Sequence, residues 1–211
     1  MAIVPINKIL GCGDFKESPN NNLIALCGER RRGKDHFAKH LVDTHGGVRL
    51  SFSDEVRRLA DDIFPWLDSF NIHESEKDSP IDSIFNPNKL TPRDIWKLVG
   101  KVRDVHPQFF VKRFLENQYR QVLQNPNTLF IITDLRTPDE IEYFINVFKV
   151  PTIKIISPKA DALYEHDTFE TFIRDYRTDS EFVNNMNGVS EFDAFFKGCV
   201  SHFKLKGLKY A

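Results

Sequence analysis

Absences narrow this sequence first. Only three of its 211 residues are cysteine (Cys12, Cys27 and Cys199), an odd number with no CxxC pair. That argues against a disulfide framework and a cysteine zinc site, and it fits a reducing cytoplasm. No apolar run approaches the roughly 18 residues of a membrane-spanning helix, so no membrane partner is expected. The N-terminus lacks a basic stretch followed by an apolar one, which argues against secretion. Neither sign of charge is in excess: 29 Lys and Arg stand against 30 Asp and Glu, a formal net charge of -1. Binding to a nucleic acid would therefore need a local basic patch, and none is expected; Lys204, Lys206 and Lys209 read as a solvated tail. Internal repeats and low-complexity tracts are missing too. What remains is an ordinary globular composition, 41% hydrophobic and 28% charged. The length suits one domain, or a core with one sizeable insertion.

Residues 1–22 close with Ser18-Pro19-Asn20-Asn21-Asn22 and read as a loosely held extension. Leu23 to Cys27 is a short continuous apolar run, the pattern of a strand buried on both faces of a parallel sheet. Phe37, Ala38, Leu41 and Val42 have helical spacing, and the helix ends near Gly46-Gly47. Residues 48–52 read as a second strand, with Ser53 capping a helix whose apolar face is Val56, Leu59, Ala60, Ile63 and Phe64. Residues 65–90 keep no period and read as an insertion or lid-like segment. Thr91-Pro92-Arg93-Asp94 opens a helix with a good N-cap, a proline at its first position and an acid in its first turn. A second apolar stripe, from Phe110 to Leu123, stops at Asn125-Pro126.

Residues 129–133 form another convincing buried strand, and Thr137 to Glu140 a capping box before a further helix. Strands at 151–156 and 181–185 and a final helix at 190–203 complete the pattern, with 158–180 ambiguous. Strands alternating with helices give an α/β fold, a three-layer sandwich on a mostly parallel sheet, spanning 23–211.

The strongest chemical signal is Gly28-Glu29-Arg30-Arg31-Arg32-Gly33-Lys34-Asp35. It is GxxxxGK, preceded by a buried strand and followed by an amphipathic helix, with Asp where Ser or Thr is usual. Such a loop turns its backbone N–H groups onto phosphates at the positive end of a helix. Lys34 would bridge the β- and γ-phosphates, and the Asp35 carboxylate would hold Mg²⁺ directly or through water. Arg30, Arg31 and Arg32 either add charge over a phosphate or form a solvated loop tip.

Asp134-Leu135-Arg136 follows the strand at 129–133, at a carboxyl end where open α/β sheets bind ligands. The acid can reach Mg²⁺ through water, and the arginine can reach a transferring phosphoryl group. Glu140 is explained by its capping role alone or by a substrate role. Arg93 stands in the first turn of a helix, against the macrodipole preference for an acid there, a hint of anion binding. His36 and His40 have zinc-ligand spacing, but Phe37 stands where HExxH needs Glu, so no zinc is expected. Phe109 or Phe110 could stack on a base, while the remaining aromatics read as core.

Together these pieces resemble the bacteriophage deoxynucleoside monophosphate kinases, within the P-loop nucleoside monophosphate kinase-like group. The matching segments are GxxxxGKD at 28–35, SFSDEVRRLA after the second strand, TPRDIWKLVG at 91–100 and ITDLRTPDE at 132–140. His166 to Glu170 and FVNNMNGVSEF at 182–192 match more faintly. The resemblance implies ATP- and Mg²⁺-dependent phosphorylation of a deoxynucleoside monophosphate in the cytoplasm, the host's if the chain is viral. It makes Lys34, Asp35, Arg93, Asp134 and Arg136 the catalytic set, with Asp35 and Asp134 on the metal. Gly28, Arg32, Gly33, Lys34, Asp35 and His36 would hold ATP, with Arg174 and Arg177 either as lid arginines or on a surface helix. Lys77, Arg93, Phe110, Arg136 and Glu140 would bind the acceptor. Closure of 65–90 and 158–180 would exclude water.

Two departures stand out. Asp94 occupies a position that is basic in some members, and 65–90 is short for an acceptor lobe, so base selectivity does not carry over. Two rivals stay open: an animal-type phosphomevalonate kinase, which shares a GKD loop, and a nucleotide-binding protein without turnover. A homodimer is also left open.

Overall fold

The computed structural model describes residues 21–161 and 171–209. Residues 1–20 of the expected extension, with Cys12, and the motif at 166–170 lie outside the described residues. In chain order the elements are β1 (Leu23–Cys27), α1 (Lys34–His45), β2 (Val48–Leu50), α2 (Phe52–Ile63), α3 (Pro92–Gly100), α4 (Val102–Val105) and α5 (Phe109–Phe114). A π-helical stretch (Leu115–Tyr119) then leads to α6 (Arg120–Gln124), β3 (Phe130–Leu135) and α7 (Pro138–Ile141). A second π-helical stretch (Glu142–Val147) precedes β4 (Thr152–Ile156), α8 (Pro158–Asp161), α9 (Thr171–Asp175), β5 (Ser180–Val183) and α10 (Ser190–Phe203). The chain divides into two compact units, one of residues 52–114 and one of the remainder. No helix among the described residues is long and apolar enough to cross a membrane.

The larger unit holds a five-stranded sheet in the order β2-β3-β1-β4-β5, with every pair parallel. From β1 the chain leaves through α1 toward β2, beyond β3; from β3 it leaves the other way, toward β4, beyond β1. The neighbours β1 and β3 thus flank a topological switch point, where open parallel sheets take their ligands. On one face, Phe37, Ala38 and Leu41 of α1 and Phe192, Phe196 and Cys199 of α10 pack on Ile24, Leu26, Ile131 and Ile153. The alternate residues Leu23, Ala25, Phe130 and Ile132 are also buried, so both faces are covered. This all-parallel sheet flanked by helices is the α/β three-layer sandwich expected, consistent with a P-loop kinase-like fold.

Three local differences matter for the site. Strand β3 continues through Asp134 to Leu135 rather than stopping at Thr133. Two steps along β1, Ala25 to Cys27, match three along β3, Ile132 to Leu135, so β3 carries one extra residue in a bulge. Bulges re-aim side chains and recur beside active sites. The helical run before β3 is also interrupted by the π stretch, which a 3.6-residue apolar spacing does not reveal.

The end of the expected loose extension differs as well. Asn22 is fully buried, and its amide donates to the carbonyls of Val122, Asn125 and Thr128 at 3.2, 3.0 and 3.2 Å.

The smaller unit has its own core, built from Val56 and Ala60 of α2, Leu67, Ile95 and Val99 of α3, and Phe110. Helix α2 begins at Phe52, which places Ser53 inside its first turn rather than at the cap. Phe52 stacks on Phe114 with ring centroids 4.2 Å apart. Helix α3 has the expected capping box: Thr91 Oγ1 accepts from the Asp94 N–H at 3.1 Å, and Asp94 Oδ2 accepts from the Thr91 N–H at 3.2 Å. Asn86 organises the preceding segment, donating to the carbonyls of Ile81 and Leu90 and accepting from the Leu90 N–H.

Candidate functional site

The loop between β1 and α1 depends on its two glycines. Gly28 has φ +129°, and a Cβ there would stand 2.5 Å from the Ile155 carbonyl oxygen of β4. Gly33 is the N-cap of α1 in the left-handed region, and a Cβ there would stand 2.7 Å from Asn184 Nδ2. Having no side chain, Gly33 leaves the first turn of α1 without a side-chain cap. The first turn therefore presents backbone N–H groups that an anion can satisfy. Asn184, just beyond β5, braces the loop by donating to the Arg32 carbonyl at 2.9 Å.

Lys34 is buried, and its Nζ donates to the Glu29 carbonyl at 2.6 Å. Its ammonium thus lies folded back onto the loop. Arg32 is also buried, with its guanidinium 3.4 Å from Glu29 Oε2 and 2.5 Å from Asp161 Oδ1 of α8. Its charge is met by these two carboxylates, which tie the loop to α8. Arg30 and Arg31 are exposed. Asp35 and His36 are exposed on the first turn of α1, where an acid also complements the helix dipole. Arg174 of α9 reaches Glu29 Oε1 at 3.5 Å, so the ambiguous region does bring one arginine to the loop. Arg177 is exposed. His40 meets Asp193 at 2.6 Å, which gives it a partner on α10.

Because β1 and β3 are parallel with Cys27 opposite Leu135, the end of β3 lies beside the start of the loop. Asp134 is 4% exposed, and its Oδ2 accepts the Ser51 hydroxyl at 2.7 Å. Ser51 follows β2 and is gripped by Gln118: its N–H donates to Oε1 at 3.0 Å and its carbonyl accepts from Nε2 at 2.8 Å. Neither Ser51 nor Gln118 was expected from sequence. Their separation of 67 residues carries no local signature. Glu140 is buried and accepts from the N–H groups of Arg136 at 2.9 Å and Thr137 at 3.1 Å. It therefore fixes the Arg136 backbone as well as capping α7.

The smaller unit carries its own charged cluster. Arg93 makes a two-pronged ion pair with Asp78, and Lys77 pairs with Glu74. The Asp78 hydrogen bond raises the Arg93 pKa above its ordinary value. The Arg93 N–H donates to the Lys77 carbonyl at 3.1 Å, joining the two basic residues. Phe110 is not on an open face: it is 1% exposed in the core, with the Arg103 guanidinium 4.5 Å from its ring centre. Phe109, half-buried, sits edge-on to it at 5.2 Å.

No group of three or more His, Cys, Asp or Glu able to cage a metal occurs among the described residues. Mg²⁺ does not need one, since it binds through one or two carboxylates together with substrate phosphates and water. The hard oxygens of Asp35 and Asp134 suit it. Beside Asp134, Thr133 Oγ1 is buried with no hydrogen-bond partner among the described residues, a polar atom that a bound water would satisfy.

No protein-family model matches the chain. A curated protein of Acanthamoeba polyphaga mimivirus, named "Putative deoxynucleotide monophosphate kinase", is 27% identical over 194 residues, covering 85% of this chain and 96% of that protein.

Proposed function

We propose that this chain is an ATP- and Mg²⁺-dependent kinase that phosphorylates deoxynucleoside monophosphates to diphosphates. One observation carries the reading: a glycine-dependent loop with a buried lysine opens a helix at the switch point of a parallel sheet, beside Asp134 and Arg136. The resemblance to the mimivirus protein supports the choice of acceptor.

The loop N–H groups and Lys34 bind the β- and γ-phosphates of ATP, and Lys34 exchanges the Glu29 carbonyl for phosphate oxygens. Arg93 takes the acceptor's phosphate, exchanging Asp78 for it. A phosphate monoester has a second pKa of about 6, so the attacking oxygen is already anionic at neutral pH and no strong base is needed. That oxygen forms a bond to the γ-phosphorus as the bond to the β–γ bridging oxygen breaks, and ADP leaves. Arg136, its backbone fixed by Glu140, stabilises charge on the transferred group. Mg²⁺, held by Asp35 and Asp134 when bound, supplies neutralisation of the phosphate charge. Catalysis is positioning plus electrostatics.

The test is coupled ADP release with Mg-ATP against each deoxynucleoside monophosphate, the ribose forms and phosphomevalonate. Acceptor-dependent ADP from a deoxynucleotide supports the proposal. ADP with phosphomevalonate alone replaces it with the other kinase. Silence with every acceptor, alongside ATP binding, favours a nucleotide-binding protein without turnover.

A further inference from the structure

In a common phosphate loop, the residue after the lysine is a Ser or Thr whose hydroxyl faces the metal. Here that residue is Asp35, which when ionised accepts hydrogen bonds but donates none. The hydroxyl that reaches Asp134 comes from elsewhere in the fold. Ser51 Oγ donates to Asp134 Oδ2 at 2.7 Å, and both residues are buried, at 0% and 4% exposure. Ser51 is itself held from both sides of its peptide backbone by one side chain. The Gln118 amide accepts from the Ser51 N–H and donates to the Ser51 carbonyl, the pattern of a neighbouring strand. Gln118 is 4% exposed and lies in the π-helical stretch. Asp134 lies where β3 carries its extra residue. The end of β2 and the π stretch are thus linked through Ser51 to the one carboxylate beside the bulge.

Resting on the kinase reading above, we infer that Ser51, clamped by Gln118, is the positioning residue for Asp134, holding its carboxylate in the orientation that engages Mg²⁺ with the nucleotide. A short hydrogen bond from a buried hydroxyl to an ionised oxygen is among the stronger kinds, and it fixes the rotamer of the side chain that accepts it. Without it, the carboxylate loses one of the contacts that fix its direction, and the metal loses an oriented partner. The loop itself does not depend on this contact, because Lys34 and the first turn of α1 bind phosphate without it.

The test is an equilibrium titration of mant-ATP fluorescence, in EDTA and over a range of Mg²⁺ concentrations. Ser51→Ala is expected to raise the half-saturating Mg²⁺ concentration about tenfold, within the range that outer-shell partners of a metal site contribute. Its affinity for mant-ATP in EDTA stays within about twofold of wild type, the same principle leaving the metal-free loop untouched. Ser51→Thr retains the hydroxyl and keeps the wild-type Mg²⁺ dependence. Gln118→Met removes the clamp at similar volume and shifts the Mg²⁺ dependence in the same direction; it carries the test if Ser51→Ala does not fold. The inference is overturned if folded Ser51→Ala keeps the wild-type Mg²⁺ dependence, or if both variants lose affinity equally with and without Mg²⁺. A wild-type chain that binds no mant-ATP in either condition overturns the phosphate-loop reading, and this inference with it. Wild-type binding with an unmoved variant overturns this inference alone.

Discussion

Arg93 and Asp78 are locked together by two parallel bonds, Nε to Oδ1 at 2.5 Å and Nη2 to Oδ2 at 3.1 Å. The guanidinium proposed for the acceptor's phosphate therefore already holds an anion of its own chain. A phosphate must displace Asp78 to bind. The pair is partly exposed, so the competition is modest. Asp78→Asn should lower the acceptor KM about threefold, the scale of an exposed ion pair. Arg93→Ala should raise it at least about tenfold, with the ATP KM little changed. Steady-state kinetics with each substrate varied in turn decides this. A change confined to the ATP KM would remove Arg93 from the acceptor site.

Lys34→Ala should reduce turnover by about a hundredfold or more, the usual scale for losing one donor to transition-state charge. The fold should persist, since the lysine belongs to neither hydrophobic core. Circular dichroism and the thermal midpoint would check the fold beside the coupled assay. Near-normal turnover would end the phosphate-loop assignment.

Gly28→Ala should damage both stability and nucleotide binding, because the added Cβ meets a backbone carbonyl in β4 that cannot swing aside. The expected loss is at least about 2 kcal/mol, from positive φ and overpacking together. Gly198→Ala is the matched control: it lies within α10, and outside its own helix backbone nothing among the described residues stands within 4 Å of the added carbon. That change should be neutral or stabilise by up to about 1 kcal/mol. Urea denaturation of the two variants gives the comparison, and equal effects would contradict it.

Alkaline pH should weaken the fold through two buried groups. Burial pushes the Cys27 thiol up from 9.0 to about 12, and burial pushes Tyr119 up from 10.0 to about 12. Both bind their protons more tightly when folded. Their contribution is complete below the unfolded pKa values and is lost as pH rises toward about 12. Urea midpoints should therefore fall between pH 9 and pH 11, and less steeply in Cys27→Ala. The native Cys27 thiol should also resist iodoacetamide at pH 8.5 until the chain unfolds. Rapid labelling of the native protein at Cys27 would contradict its burial.

Asn22→Ala should cost about 1–3 kcal/mol, the penalty for leaving buried polar groups unsatisfied, since three carbonyls lose one shared donor. Chemical denaturation measures it directly. A neutral result would mean that the carbonyls find water instead.

Features set by neighbouring residues were legible in the chain. The caps at Thr91 and Thr137 depend on residues three apart, and both form as read. The continuous apolar runs at Leu23 and Leu129 mark strands covered on both faces, and the sheet buries them so. Pairings across long separations were not legible. Nothing near Asp134 in sequence points to Ser51, and nothing near Arg32 points to Asp161. A run of three arginines looks alike on paper, yet Arg32 is buried between two carboxylates while Arg30 and Arg31 face solvent. The burial of Phe110 was not legible for a similar reason: aromatic content does not say which ring the core will claim. The bulge in β3 and the π stretches are each irregular by one residue, below what periodicity can resolve.

The π stretch at Leu115–Tyr119 makes chain length itself a determinant of aim. An α-helix advances about 100° per residue, so deleting one residue here and restoring regular winding would turn Gln118 by roughly a quarter of a circle relative to its neighbours. The amide that grips Ser51 would then face another direction, although no side chain in the cluster had been exchanged. A one-residue deletion in this helix would therefore change the grip on Ser51, and through it on Asp134, with none of the three residues exchanged.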